Sequence, residues 1–277
     1  MFRPLSRLYF RAGGLPVRRA VGAIYLGTSG WDYPEWVGRF YPKRGAQDRL
    51  HFYTGSFPIV EVNSTFYRLP PVSVAQSWVH RTPKGFRFAL KFPQTITHDK
   101  RLVGAEAEIG EFARFLKPLQ EAGKLAAALV QLPPSLPFEP ATVRRFYESI
   151  PPGIPVAVEP RERSWVQPAS KGLLEEFGFA YVVVDEPLLP IDLAVTAPFS
   201  YVRWHGHGKE IWYDYTYPPE ELRAWAPRLA QLREQTEAVY GFFNNHFRGD
   251  AAVNARTLSE LLHLPPPPWA SLGKLVP

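Results

Sequence analysis

The sequence predicts a single closed parallel (β/α)8 barrel, a TIM barrel with its helices on the outside. Three observations lead there. Eight short, apolar, β-rich segments recur along the chain, most are separated by stretches of helical period, and no glycine-rich phosphate fingerprint follows the first of them. At 277 residues and 45% hydrophobic content, the chain has apolar material for one large core.

The strand segments are AIYLGTS (23–29), PIVEVN (58–63), FRFALK (86–91), LAAALVQ (125–131), IPVAVE (154–159), FAYVVVD (179–185), SYVRWH (200–205) and AVYGFFN (238–244). Each stops at a polar residue. Helical period or helix-opening chemistry follows in VSVAQSWVH, AEAEIGEFARFLKPLQEAG, EPATVRRFYESI, SKGLLEEFG, PPEELRAWAPRLAQLREQ and DAAVNARTLSELLHL. Pro218 and Pro219 before Glu220 and Glu221 suit a helix start, because proline costs nothing at the first turn and acids there oppose the helix dipole. Two connections depart from this pattern. The first holds a long loop from Trp31 to Gly45, and the sixth, EPLLPIDLAVTAP, shows little helical period. The tail after Leu264, with four consecutive prolines, is expected to lie extended on the surface.

In a barrel of this kind, binding and catalytic groups gather at the C-terminal strand ends. Strand side chains alternate between the two faces. If Val60 and Val62 face the helices, then Ile59, Glu61 and Asn63 face the lumen. The same alternation turns Ala89 and Lys91, Ala157 and Glu159, Val183 and Asp185, and Tyr201, Arg203 and His205 inward. An unpaired buried carboxylate costs several kcal/mol, so Glu61 needs a cation or several donors beside it, and Lys91 and Arg203 are placed to supply them. Such a cluster is either a structural ion-pair plug or the lining of a pocket for a small polar ligand. The second reading makes Glu61, Glu159, His205 and Asp185 the candidate catalytic groups. Trp31, Asn63, Tyr67, Lys91, His98, Arg161, Trp165, Arg203, Asn244 and Asn245 are then the candidate ligand-binding groups.

Tryptophans and tyrosines crowd the loops that follow these strand ends: Trp31, Tyr33 and Trp36, then Phe66 and Tyr67, Trp165, and Trp212 to Tyr217. They suit stacking on a flat partner or packing on the barrel rim. Glu61, Glu159, Asp185, His205 and His246 are oxygen and imidazole donors, yet no HExxH-like spacing joins them and Lys91 and Arg203 would repel a cation. No metal site and no nucleotide cofactor are therefore expected. The absence of cysteine excludes disulfides and thiolate metal sites and fits a cytoplasmic location. Neither Ser29 nor Ser64 stands in a GxSxG elbow.

The chain carries a net charge of +6, but five of those charges (Arg3, Arg7, Arg11, Arg18, Arg19) lie in residues 1–22, which contain no acid. We read this stretch as a loosely ordered basic arm and residues 23–277 as the barrel. The nearly neutral body argues against broad phosphate-backbone binding, leaving a nucleic-acid partner as the secondary reading. No apolar run reaches the ~20 residues of a membrane span, so no membrane partner is expected. Thirty prolines and a single methionine are a bias shared with heat-stable proteins.

The motifs GTSGWDYPEWVGRFYP (27–42), EVNSTFYRLP (61–70), KFPQTITHDKRL (91–102), LVQLPPS (129–135), AVEPRERSW (157–165), YVRWHGHG (201–208) with WYDYTY (212–217), and FFNNHFRGDAAVNAR (242–256) resemble, in order, those of the DUF72 or YecE-like family. The resemblance implies a TIM barrel and adds Ser29, Thr65, Lys100, Arg101 and Gln131 to the residues of interest. Two departures stand out: Pro160 replaces the family's aromatic after the fifth-strand glutamate, and Glu162-Arg163 replaces its His-Pro before Ser-Trp. The family is distantly similar to sugar isomerases and to endonuclease IV-like barrels, an analogy of fold. The expected function is an enzyme of sugar isomerase-like, hydrolase or lyase type acting on a small polar, sugar-like or phosphorylated ligand. A nucleic-acid processing or repair protein and a non-catalytic binding or scaffold protein are the alternatives.

Overall fold

The computed structural model describes residues 21–270, and within them eight parallel strands close into a barrel in sequence order, with the last pairing to the first. The strands are β1 (Ala23–Ser29), β2 (Ile59–Val62), β3 (Arg87–Lys91), β4 (Leu125–Gln131), β5 (Val156–Glu159), β6 (Ala180–Asp185), β7 (Phe199–Trp204) and β8 (Ala238–Phe243). The helices are α1 (Arg49–Thr54), α2 (Ser64–Tyr67), α3 (Val72–Arg81), α4 (Glu106–Glu121), α5 (Pro140–Ser149), α6 (Pro168–Phe177), α7 (Pro219–Gln235) and α8 (Asp250–Leu261). Among the described residues the connection from β6 to β7 contains no helix, in line with the missing helical period of that segment.

β2, β5, β6 and β8 are buried along their whole length and so on both faces, which is why they read as apolar runs. Two cores result. Val60, Val62, Leu90, Val130, Val158 and Val183 pack outward against the helices, while Ile59, Ala89, Leu129, Ala157, Val182 and Tyr201 fill the lumen. At the N-terminal end Arg87 closes the lumen, its guanidinium 5.1 Å from the Tyr25 ring centre and donating to the Tyr240 hydroxyl at 3.3 Å. Gly241 in β8 is required by close packing, since a Cβ there would lie 2.8 Å from the indole of Trp204. That indole is stacked on Phe243 and set edge-on to Trp225 of α7.

Local chemistry sets the helix ends. Proline occupies the first turn of α5, α6 and α7. Asp48 caps α1 by accepting from His51 N at 3.0 Å, and Gly178, at φ 67°, ends α6 in the left-handed conformation that glycine adopts without strain. Lys124 is buried beyond α3, donating to the Val79 and Thr82 carbonyls and to Thr82 Oγ1, so its charge satisfies acceptors at that helix end. The basic arm lies outside the described residues except for Val21 and Gly22; Gly22 N donates to Arg233 O at 3.1 Å and Gly22 O accepts from Arg233 Nε at 2.8 Å. In the described part of the tail, residues 265–270, Trp269 Nε1 donates to Thr54 O at the end of α1 at 2.8 Å.

Candidate functional site

Glu61 is fully buried, and its position in a strand is explained by what surrounds it. Oε1 accepts from Ser29 Oγ at 2.6 Å and from Arg203 Nη2 at 2.7 Å, and Oε2 accepts from the Tyr201 hydroxyl at 2.6 Å. Arg203 gives its other terminal nitrogen, Nη1, to Glu159 Oε2 at 2.6 Å, and Glu159 Oε1 accepts from Arg161 Nε at 2.5 Å. One guanidinium thus bridges two carboxylates, and all four carboxylate oxygens are engaged. Burial alone would raise the Glu159 pKa, but Arg161, Arg203 and His205 overcome it and hold the carboxyl well below the ordinary range. Burial also opposes the Arg203 charge, and Glu159 and Glu61 more than restore it.

His205 closes the lattice from above. Its Nε2 lies 3.0 Å from Arg161 Nη2 and 3.3 Å from Glu159 Oε1, and its Nδ1 faces the Asn244 side-chain amide at 3.0 Å. A guanidinium only donates, so Arg161 fixes Nε2 as an acceptor. Burial, then the positive charge of Arg161, lowers the His205 pKa to about 4, and the ring is neutral at pH 7.

Lys91, at the end of β3, differs from these groups. Its Nζ stands 3.7 Å from the Phe66 ring centre, and among the described residues no carboxylate or hydrogen-bond acceptor pairs with it. Burial, then the nearby Arg203 charge, lowers its pKa to about 8, against the opposing pull of Glu159 and Glu61. His98 also meets the Phe66 ring, edge-on at 5.0 Å, and takes its place from a π-helical turn, Thr95–Asp99. Burial and the Lys91 charge lower the His98 pKa as well. Asn63, Gln131 and Asn244 are half-buried at the same strand ends, and Arg161 is 15% exposed.

Three sequence-based placements are corrected. Asp185 does not face the lumen: it accepts from Trp225 Nε1 of α7 at 2.9 Å and meets His207 Nε2 at 2.7 Å. Strand β6 aligns Val182 with Tyr201 and Val184 with Arg203, so the inward row is Val182, Val184 and then Glu186. Trp165 is sealed behind the rim, edge-on to Phe138, with Nε1 donating to Leu136 O at 2.9 Å. Asn245 also points away from the mouth, donating to Tyr215 O and Asn254 Oδ1. Of the two remaining aromatics, Trp31 packs edge-on against Trp78 and Tyr67 is 79% exposed beside Phe66.

Glu186 takes the place expected of Asp185. Its side chain is sealed from solvent, Oε1 accepts from Leu189 N at 3.1 Å, and Oε2 has no hydrogen-bond partner, with Arg161 Nη1 3.7 Å away. Burial raises its pKa against the pull of Arg161. The remaining rim aromatics clamp the loops together. His246 is sandwiched between Tyr33 and Tyr213 at 4.9 and 5.2 Å, and Trp36 Nε1 donates to the His246 carbonyl. Neither feature has a signal in spacing alone.

Among the described residues no group of three or more His, Cys, Asp or Glu side chains is placed to hold a metal ion, and no helix is long and apolar enough to cross a membrane. In the THDKR segment, Lys100 is committed to Glu108 and the Gly104 carbonyl, and Arg101 to Ser135.

Residues 25–272 match the family model described as "Protein of unknown function DUF72". The chain is 32% identical over 270 residues to the UPF0759 protein YunF of Bacillus subtilis (strain 168), covering 87% of this chain and 95% of the relative. It is 27% identical over 281 residues to the UPF0759 protein YecE of Escherichia coli (strain K12), covering 92% and 94%. A crystal structure of a DUF72 family protein from Thermotoga maritima MSB8 superposes with a TM-score of 0.79 at 32% identity, covering 87% of this chain and 99% of that one. One from Enterococcus faecalis V583 gives 0.75 at 28% identity, covering 88% and 99%.

Proposed function

The chain belongs to the DUF72 family, and from that premise we propose that it is an enzyme whose small, polar, sugar-like or phosphorylated ligand docks at the C-terminal mouth of the barrel. One observation carries this reading. The buried carboxylates Glu61 and Glu159 are saturated by Arg203 and Arg161, while Lys91 stands at the same rim with no counter-ion. A structural plug would pair its last cation, because an unpaired charge at a half-buried site costs free energy and contributes nothing to packing. The mouth therefore presents a cation with no paired carboxylate, suited to a phosphate, a carboxylate or the electronegative oxygens of a sugar.

The saturation of Glu61 and Glu159 revises their role. With every oxygen engaged they orient Arg203 and Arg161 and set the local field, and the ligand meets Lys91, Arg161 and the amides of Asn63, Gln131 and Asn244. Calorimetric titration with inorganic phosphate tests the reading. Saturable binding that is lost in Arg161→Ala is expected, whereas the absence of binding at millimolar phosphate to the wild-type protein would remove it. For the nucleic-acid alternative, most of the basic arm lies outside the described residues, and Lys100 is exposed and Arg101 half-buried, with partners in Glu108 and Ser135.

A further inference from the structure

We infer that Lys91 is a nucleophile, and that the ligand at this mouth carries an aldehyde or ketone carbonyl that Lys91 captures as an imine. The inference rests on the proposed ligand site and names its substrate class.

A lysine kept for structure is held by acceptors, as Lys124 is by three oxygens and Lys100 by Glu108. Lys91 has none among the described residues. Its Nζ is steered by the face of Phe66, a contact that positions the nitrogen without accepting a proton from it. The carboxylates that would otherwise pair with it, Glu61 and Glu159, are turned toward guanidiniums. The charged groups acting on the amine are therefore Arg203 from β7, Glu159 and Arg161 at the end of β5, and Glu61 from β2, with the titratable His98 against the same Phe66 ring. Desolvation next to other cations is a recognised route to a reactive lysine amine.

The step balances without a cofactor. The Lys91 nitrogen lone pair forms a C–N bond to the carbonyl carbon as the C=O π electrons move to oxygen. That oxygen takes one proton and the nitrogen gives one up, leaving a neutral carbinolamine. The C–O bond then breaks, the second nitrogen proton leaves with the oxygen as water, and the lone pair closes the C=N bond. One amine and one carbonyl become one imine and one water, with no change of oxidation state. Asn63 and Gln131, beside Lys91 on the neighbouring strand ends, are placed to hold hydroxyls adjacent to the carbonyl, and Arg161 to hold an anionic terminus.

The test uses glycolaldehyde and glycolaldehyde phosphate with the full-length protein, sodium cyanoborohydride to trap the imine, and peptide mapping by mass spectrometry. Exposed Lys43, Lys84 and Lys209 serve as internal references. The expected result is trapping at Lys91 on the order of ten to a hundred times faster than at those references at pH 7, because more of a lysine with a lowered pKa is neutral there. The rate should rise with pH and level off above about 8, and inorganic phosphate should slow the phosphorylated probe. Lys91→Arg should abolish trapping at this position, while Lys43→Arg, at one of the exposed references, should leave both the trapping at Lys91 and phosphate binding unchanged. Trapping at Lys91 no faster than at the references, with phosphate binding intact, overturns the imine and leaves the binding reading standing. Loss of both removes both.

Discussion

Arg203 and Glu61 are 142 residues apart in sequence and meet at 2.7 Å, Nη2 to Oε1, with side-chain exposures of 2% and 0%. Arg203 also pairs with Glu159 at 2.6 Å, so the buried charges are compensated as a set and breaking any part of the set is costly. Replacing Arg203 by Met leaves buried Glu61 with no paired cation and Glu159 with Arg161 alone, and is expected to cost ~3–5 kcal/mol of unfolding free energy. Adding Glu61→Gln and Glu159→Gln to that variant should return much of the loss. Urea denaturation of the single and triple variants checks both statements, and a triple variant no more stable than the single one would contradict them.

Acid sensitivity follows from His205 and Glu159. The folded state holds the His205 pKa near 4 against an ordinary 6.5, so the unfolded chain binds the extra proton between those values. Stability is therefore full above about pH 6.5 and falls as the pH drops toward 4, by ~3 kcal/mol from this group. Glu159, whose pKa is lowered, keeps its contribution above the ordinary carboxylate range and loses it at lower pH still. Unfolding free energies at pH 7 and pH 4.5 should differ accordingly, and His205→Gln should flatten the slope.

The polar rim was legible in the sequence where strands alternate and illegible where they do not. In β2 and β7 the parity of Glu61 and Arg203 followed from their neighbours, and the contacts agree. Strand β6, AYVVVD, is apolar and buried along its length, so its period-2 pattern is blank, and counting back from Asp185 put the wrong row inside. The register with β7 settles it in favour of Glu186. Trp165 and Asn245 follow strand ends as expected of site residues, but loop direction, which composition does not encode, turns them behind the rim. The helix-free sixth connection was readable, because helical period is a local property.

Asp185 accordingly belongs to helix docking. It is the acceptor for the indole of Trp225, a residue 1% exposed on α7. Asp185→Ala leaves that buried donor unpaired, at an expected cost of ~1–3 kcal/mol. Phosphate affinity should be unchanged. A variant that keeps wild-type stability but loses phosphate binding would return Asp185 to the site.

Lys91 should lower the stability of the fold that carries it. Its folded pKa of about 8 lies below the ordinary 10.5, so at pH 7 both states are protonated and the folded state alone bears the penalty of a desolvated ammonium beside Arg203. Between pH 8 and 10.5 the unfolded chain binds more protons, so stability rises with pH across that window. Lys91→Met keeps the apolar stem over Phe66 and removes the charge. After discounting for the part of the side chain that water reaches and for a cation–π contact of ~0.5–1 kcal/mol, it should stabilise the protein by ~1–3 kcal/mol at pH 7. The gain should shrink by pH 9.5, as the wild type sheds its proton. Denaturation at the two pH values decides the matter: a Met variant less stable at pH 7 would mean that Lys91 is held by partners and is structural. A more stable variant that no longer traps a carbonyl would mark a residue kept for chemistry at the expense of the fold.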